Sequence, residues 1–236
     1  MGREKVFRFK QFSLLNDKTA MKVGTDGVLL GCWCDVSKAK RVLDVGTGCG
    51  LIALMIAQRQ PDALIYGIDI DEGAVEEASY NAEHSPWHHR LRLHRADFNH
   101  FDCDEKFDLI VSNPPYFKNS LPAPEMARNQ ARHMTELSIQ QLITKSTELL
   151  AEKGIICLIT PVEIESEIMA LCGEKRLFVA KKTRVFTKIN SAAKRILWQL
   201  SKNVVESATS DLYIYGTNGQ FTPEYIALCK DFYLHM

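Results

Sequence analysis

The stretch Val42-Leu43-Asp44-Val45-Gly46-Thr47-Gly48-Cys49-Gly50 decides the fold. An apolar strand, Arg41–Val45, runs into a turn whose three glycines let backbone approach a ligand closely. A dinucleotide fingerprint has glycines at relative positions one, three and six. Here the third glycine comes at position five, and position six is Leu51. Asp44 would also repel a pyrophosphate.

Working outward, short apolar runs alternate with amphipathic stretches. Helical spacing marks residues 51–60, stopped by Pro61, and residues 72–84. Strands are expected at 64–70, Leu91–Arg95 and Phe107–Ser112. After a long polar loop come a helix over 137–152 closed by Gly154, an apolar strand over 155–160 and a helix over 162–172. Residues 183–188 and 196–201 follow each other without a convincing helix between them, which predicts an antiparallel pair. Repeated strand–helix units imply a parallel sheet with right-handed crossovers. The expected fold is α/β and Rossmann-like, with a seven-stranded, mostly parallel sheet, one antiparallel strand and helices on both faces. Residues 1–40 read as an accessory segment packed on a core of 41–236. Residues 208–236 read as a terminal extension in which Thr222 caps a short helix.

A cofactor with a cationic centre and no phosphate suits this turn, and S-adenosylmethionine meets that description. Gly46, Gly48 and Gly50, with Asp44, are its candidate contacts at the turn. Asp69 lies nineteen residues beyond Gly50 at a strand end, with Ile70 beside it. A carboxylate there can accept hydrogen bonds from both ribose hydroxyls of an adenosine. Asp97 and Phe98 follow the third strand, where a carboxylate and a backbone amide can read an adenine edge. Asp71 is assigned instead to a helix cap.

Asn113-Pro114-Pro115-Tyr116 follows the fourth strand, at the carboxyl edge where such sheets bind ligands. With the glycine turn upstream, this tetrapeptide resembles the class I S-adenosylmethionine-dependent methyltransferases that methylate exocyclic amines of adenine or guanine, or glutamine amides. The residue types suit that chemistry. An adenine N6 amine is a poor nucleophile, because its lone pair is delocalised into the ring. The Asn113 side-chain carbonyl and the Pro114 backbone carbonyl can accept its two N–H groups, which frees the lone pair. Proline stiffens the loop and preplaces the acceptor. Tyr116 offers a ring on which an extruded base can stack. Asn113, Pro114 and Tyr116 are therefore the candidate catalytic residues, with Asn113 also facing the cofactor.

The resemblance narrows further. Phe9-Lys10-Gln11-Phe12 and Lys22-Val23-Gly24-Thr25-Asp26-Gly27 precede the core; Ala131-Arg132-His133 follows the tetrapeptide. The combination resembles the bacterial tRNA1(Val) (adenine(37)-N6)-methyltransferases over nearly the whole chain. In that family the upstream segment lies near the methionine end of the cofactor, which implies a role for Thr25 or Asp26. The resemblance implies a tRNA partner, through the anticodon arm of a valine tRNA.

Lys and Arg total 29, as do Asp and Glu, so overall charge points to no partner. Distribution does: between Lys175 and Lys202 there are nine basic residues and no acid, and the first 22 residues hold six bases against two acids. Two basic segments flanking a base-methylating site favour RNA. The candidate substrate contacts are Pro115, Tyr116, Phe117, Lys118, Arg128, Arg132 and His133 in the loop, and Lys188, Lys194 and Arg195 beyond it. No apolar run approaches the roughly 18 residues of a membrane span. The opening MGREKVFRFK lacks the apolar stretch of a secretory signal. Seven cysteines without a Cys-x-x-Cys pair give no metal site. A cytoplasmic monomer, without metal or membrane, is the expectation. The rival readings are methylation of guanine N2 or adenine N6 in ribosomal RNA, methylation of protein glutamine, and a non-catalytic RNA-binding module. Retention of both Asn113 and Asp69 argues against the last.

Overall fold

The computed structural model describes residues 6–19, 22–115 and 137–236. Val6–Arg8 (β1) and Ser13–Leu15 (β2) form a small antiparallel hairpin. Thr25–Trp33 (α1) is buried at every position from Gly27 onward. A helix apolar on all sides must sit inside the protein. It packs on Leu51–Arg59 (α2), where a Cβ added at Gly31 would come within 2.6 Å of the Met55 sulfur. The Trp33 indole N–H donates to the Thr183 hydroxyl at 3.0 Å, tying α1 to the main sheet.

Arg41–Val45 (β3), Leu64–Asp69 (β4), Leu91–Arg95 (β5), Phe107–Ser112 (β6) and Leu150–Pro161 (β7) pair in parallel. Glu72–Glu83 (α3) links β4 to β5, and Ile139–Leu149 (α4) leads into β7. Glu165–Lys175 (α5) then leads to Phe178–Lys188 (β8), Ala193–Ser201 (β9) and Ala208–Tyr215 (β10); Pro223–Cys229 (α6) follows. The sheet order is β10-β8-β9-β7-β6-β3-β4-β5. β9 is antiparallel to both neighbours, whereas β10 pairs in parallel with β8. From β3 the chain runs outward to β4 and β5, then returns to β6 on the other side. The switch point therefore lies between β3 and β6, outside whose carboxyl ends ligands bind in such sheets.

Three expectations are corrected. The sheet has eight strands rather than seven, because β10 belongs to it. Only Leu212 and Ile214 of β10 are buried, so this edge strand leaves too short an alternation to stand out. The helix expected over 137–152 ends at Leu149. Gly154 does not close that helix but sits in β7, where pairing with β6 jumps from Phe107↔Leu150 to Leu109↔Ile155. A Cβ on Gly154 would lie 2.8 Å from the Phe107 carbonyl oxygen, so the glycine permits this bulge.

Apolar residues fill both faces of the sheet. Leu109, Val111, Cys157 and Ile159 face α1 and α2, together with Phe9 and Phe12 of the N-terminal segment. Leu43, Ile110, Ile156 and Leu158 face α4 and α5. The chain's two ends meet: the Lys10 amide donates to the Phe232 carbonyl at 2.8 Å, and the Phe9 ring meets the Phe232 ring edge-on at 6.4 Å. Thr222 caps α6 as expected, accepting from the Tyr225 amide. Among the described residues, no helix is long and apolar enough to cross a membrane.

Candidate functional site

Gly46, Gly48 and Gly50 all adopt left-handed φ values, 71°, 56° and 83°, which side-chain-bearing residues rarely take. They let the chain double back over β4, where the Gly46 and Thr47 amides both donate to the Ile68 carbonyl at 2.9 Å. Asp69 closes the arrangement, one carboxylate oxygen accepting the Gly48 amide at 2.9 Å and the other the Asp71 amide at 3.0 Å. Asp71 caps α3 by accepting the Gly73 amide.

Asp44 and Gly50 are not among the residues that line the two cavities beside the turn. Asp44 is fully buried beneath the turn, accepting the Thr47 hydroxyl at 2.8 Å and the Ala53 amide at 3.2 Å. Gly50 starts α2, with Ala78 of α3 behind it. Burial pushes the Asp44 carboxyl up to about 7, although its two hydrogen bonds oppose the shift. A raised folded-state pKa means that Asp44's contribution to stability is fully present below the unfolded value of 3.8 and is lost as pH rises through about 7. Asp44→Asn keeps the acceptor and removes the charge. It should abolish that part of the decline, as urea titrations at pH 4, 6 and 8 would read.

Two cavities meet at Gly46, Gly48 and Asn113. One, of about 280 Å³, is lined by Asp69, Ile70, Asp97, Phe98, Pro114 and Pro115 among others. The other, of about 380 Å³, is lined by Lys22, Thr25, Asp26 and the glycine turn. Ser112 fixes the junction, its hydroxyl donating to the Val45 carbonyl at 2.7 Å and tying β6 to β3 just before Asn113. Asp97 accepts the Asn99 amide and the His100 ring nitrogen, each at 2.9 Å. Burial works against these bonds, but together they hold its carboxyl below the usual range. Asp26 accepts from Arg195 Nε at 2.7 Å, so these two candidates stand together as an ion pair at the mouth.

The sequence reading missed the polar clamp that sets the N-terminal wall. Glu77, only 4% exposed, accepts the backbone amides of Asp17, Lys18 and Thr19 and the Thr19 hydroxyl. One turn on, the Asn81 amide group donates to the carbonyls of Leu15 and Cys49, both at 2.9 Å. Thr19 itself lines the smaller cavity. The signal was present: the inner face of α3 reads Ala74, Glu77, Ala78, Asn81, Ala82, two polar residues in an otherwise apolar stripe. Burial raises the Glu77 pKa, but its hydrogen bonds outweigh that and hold it below the ordinary glutamate value of 4.5. Its contribution to stability is therefore present above about pH 4.5 and lost as pH falls through the lower folded-state value. Glu77→Ala should cost about 2–4 kcal/mol, because it strands several donors. Equal unfolding midpoints for variant and parent would refute this clamp.

The basic run of 175–202 is not one cationic face. Lys182 and Arg184 both pair with Glu165 at 3.1 Å. Lys181 lies over the Trp33 ring at 4.4 Å, and Lys202 donates to the Leu150 carbonyl. Lys188 and Lys194 remain exposed around the β8–β9 turn. Tyr116, Phe117, Lys118, Arg128, Arg132 and His133 lie outside the described residues. All seven cysteines are free, and the described residues hold no cluster of three or more His, Cys, Asp or Glu able to bind a metal.

The family described as methyltransferase small domain matches residues 24–184. A Bacteroides thetaiotaomicron protein named tRNA1(Val) (adenine(37)-N6)-methyltransferase is 40% identical over 231 residues, 98% of each chain. A protein of the same name from Actinobacillus succinogenes is 42% identical over 97% of each chain. Among solved structures, a predicted O-methyltransferase from Agrobacterium tumefaciens superposes with a TM-score of 0.69 at 19% identity, covering 88% of this chain and 96% of its own. A T. thermophilus 16S rRNA N2 G1207 methyltransferase, solved with AdoMet and guanosine, gives 0.59 at 19% identity, over 85% of this chain and 50% of its own. These structural likenesses support the Rossmann-like class I fold.

Proposed function

The chain belongs to the tRNA1(Val) (adenine(37)-N6)-methyltransferase family, and from that premise we propose that it methylates the N6 amine of adenine 37 in a valine tRNA, with S-adenosylmethionine as donor. The observation that carries this reading is the meeting of two cavities at Asn113, directly outside the switch point.

The residues present fit the donor. Asp69 presents a carboxylate to the smaller cavity, and each of its oxygens keeps a lone pair beyond the amide it already accepts. Phe98 and Ile70 give that cavity apolar surface for an adenine, with Asp97 beside them. Thr25, Asp26, Gly46 and Gly48 line the side assigned to the methionine end. The donor supplies an activated sulfonium methyl, so the protein needs no strong general base.

The remaining work falls to the polypeptide. Asn113 accepts one N–H of the target amine through its side-chain carbonyl, and the Pro114 backbone carbonyl accepts the other. The amine nitrogen is thereby drawn toward tetrahedral geometry, and its lone pair is freed. Alignment of this kind can supply about 7–11 kcal/mol. Once methylated, the nitrogen loses its proton to water. Tyr116, with Pro115 and Phe117, stacks the base. Lys118, Arg128, Arg132, His133, Lys188, Lys194 and Arg195 are the cations assigned to the anticodon arm. Splaying an adenine out of a single-stranded loop costs less than extracting it from a duplex.

The test offers separate pools of tRNA, ribosomal RNA and protein to the purified enzyme with a methyl-labelled donor. Label should enter tRNA; label confined to ribosomal RNA or protein would overturn the reading. Affinity for tRNA should also fall by about 0.7–0.9 log units per log unit of salt for each phosphate contact. A flat response would remove the cations from that role.

A further inference from the structure

A groove of about 910 Å³ lies beside the cavities assigned to the cofactor. Val23, Gly24, Thr25 and Asp26 line both this groove and the cavity that reaches Asn113, so the two adjoin across this segment. The far wall comes from the chain's last thirty residues. There the Tyr215 and Phe221 rings stack at 4.9 Å with only 22° between their planes, and Phe221 lies 5.1 Å from Tyr225. An isolated bridge between residues 215 and 221 fixes this arrangement. Tyr215 and Phe221 nevertheless remain 37% and 38% exposed beside this groove.

Charge says what would cover them. Among the described residues the groove is lined by the basic side chains of Arg8, Lys194, Arg195 and His235, and Asp26 is its one acidic side chain. Asp26 is already paired with Arg195. Arg8 and Lys194 are exposed at the rim, and Lys188 is the β8 residue aligned with Tyr215. Flat, solvent-facing rings interleaved with cations fit one chemistry: unpaired nucleotides, whose bases stack while their phosphates meet the positive charge. An apolar peptide would leave Arg8 and Lys194 without partners, and an acidic peptide would leave the rings bare.

We propose that this groove holds the unpaired tRNA nucleotides next to the target adenine, their bases stacking on Tyr215 and Phe221 and their phosphates meeting Arg8 and Lys194. The inference rests on the tRNA-methylating reading and adds to it a second binding site, built from residues with no part in the chemistry. It also assigns β10 and α6 a purpose, since they form the wall that carries the rings.

The experiment measures steady-state methylation of tRNA by the full chain and by Tyr215→Ala, Phe221→Ala, Tyr215→Phe and Lys194→Ala, with cofactor affinity and unfolding midpoint read for each. Each alanine substitution of a ring should raise the KM for tRNA about tenfold while leaving cofactor affinity unaltered. Tyr215→Phe should restore a parental KM, because stacking needs only the ring. Lys194→Ala, a surface change that does not threaten folding, should lower the salt slope by about 0.7–0.9. Folded variants with parental KM values, or an unaltered salt slope in Lys194→Ala, would overturn the proposal. So would a Phe221→Ala effect confined to self-association, which would assign the groove to a second copy of the chain. If the parent protein itself methylates no tRNA, the functional reading fails first. A parent that is active with indifferent variants sinks only the groove.

Discussion

Asn113→Ala should lower turnover by about a hundredfold or more, while the dissociation constant for the cofactor changes little. The magnitude follows from removing an aligned hydrogen-bonding group that acts on the reacting atom, which typically costs about 10²–10³ in rate. Asn113 stands where the two cavities join, held in register by the Ser112 hydroxyl on the Val45 carbonyl. Alanine keeps the backbone and Pro114, so one of the two acceptors survives and the pocket keeps its shape. Asn113→Asp should lose less than alanine, because a carboxylate still accepts an N–H. Near-parental turnover in Asn113→Ala would remove this residue from the chemistry. A large loss of cofactor affinity would reassign it to binding.

Asp69→Ala should show the opposite division, with cofactor affinity falling about a hundredfold or more and turnover largely recovered at saturating cofactor. Two hydrogen bonds from ribose hydroxyls to a carboxylate are worth about 1.5–3 kcal/mol each, and every 1.4 kcal/mol is tenfold. Asp69 also accepts the Gly48 and Asp71 amides. Its loss therefore loosens the glycine turn as well as the ribose contact. Asp69→Asn keeps one acceptor oxygen and should lie between alanine and the parent. Calorimetry with the demethylated product, which lacks the sulfonium charge, reads the ribose contribution directly. Parental affinity in Asp69→Ala would show that the ribose lies elsewhere.

The switch-point strands, the glycine turn and the cap at Asp71 were readable because each has a short-range physical cause. An apolar run forms a buried strand, a left-handed turn needs glycine, and a carboxylate caps the next helix. Asp69, Ile70, Asp97, Phe98 and Asn113 line the same cavity because they follow the strand ends, whose positions the pattern set. The setting of Asp44 was not legible, because sequence shows that an acid adjoins the turn but not whether it lies above or below it. It lies below, holding Thr47 and Ala53. Glu77 and Asn81 escaped notice because their partners, residues 15–19, lie about sixty residues away in sequence. The pairing within the basic run was hidden for a similar reason: Glu165, which takes up Lys182 and Arg184, comes from a separate element. The β10 wall and its stacked rings depend on pairing with β8, which no local pattern announces.

The central claim is that an adenine amine is what Asn113 and Pro114 hold. It is tested most directly by incubating the protein and methyl donor with total tRNA from a strain lacking the gene, then digesting the RNA and identifying the modified nucleoside and its position by mass spectrometry. The account predicts N6-methyladenosine at position 37 of a valine tRNA and no other new methylated nucleoside. N2-methylguanosine, or N6-methyladenosine at another position, would contradict it.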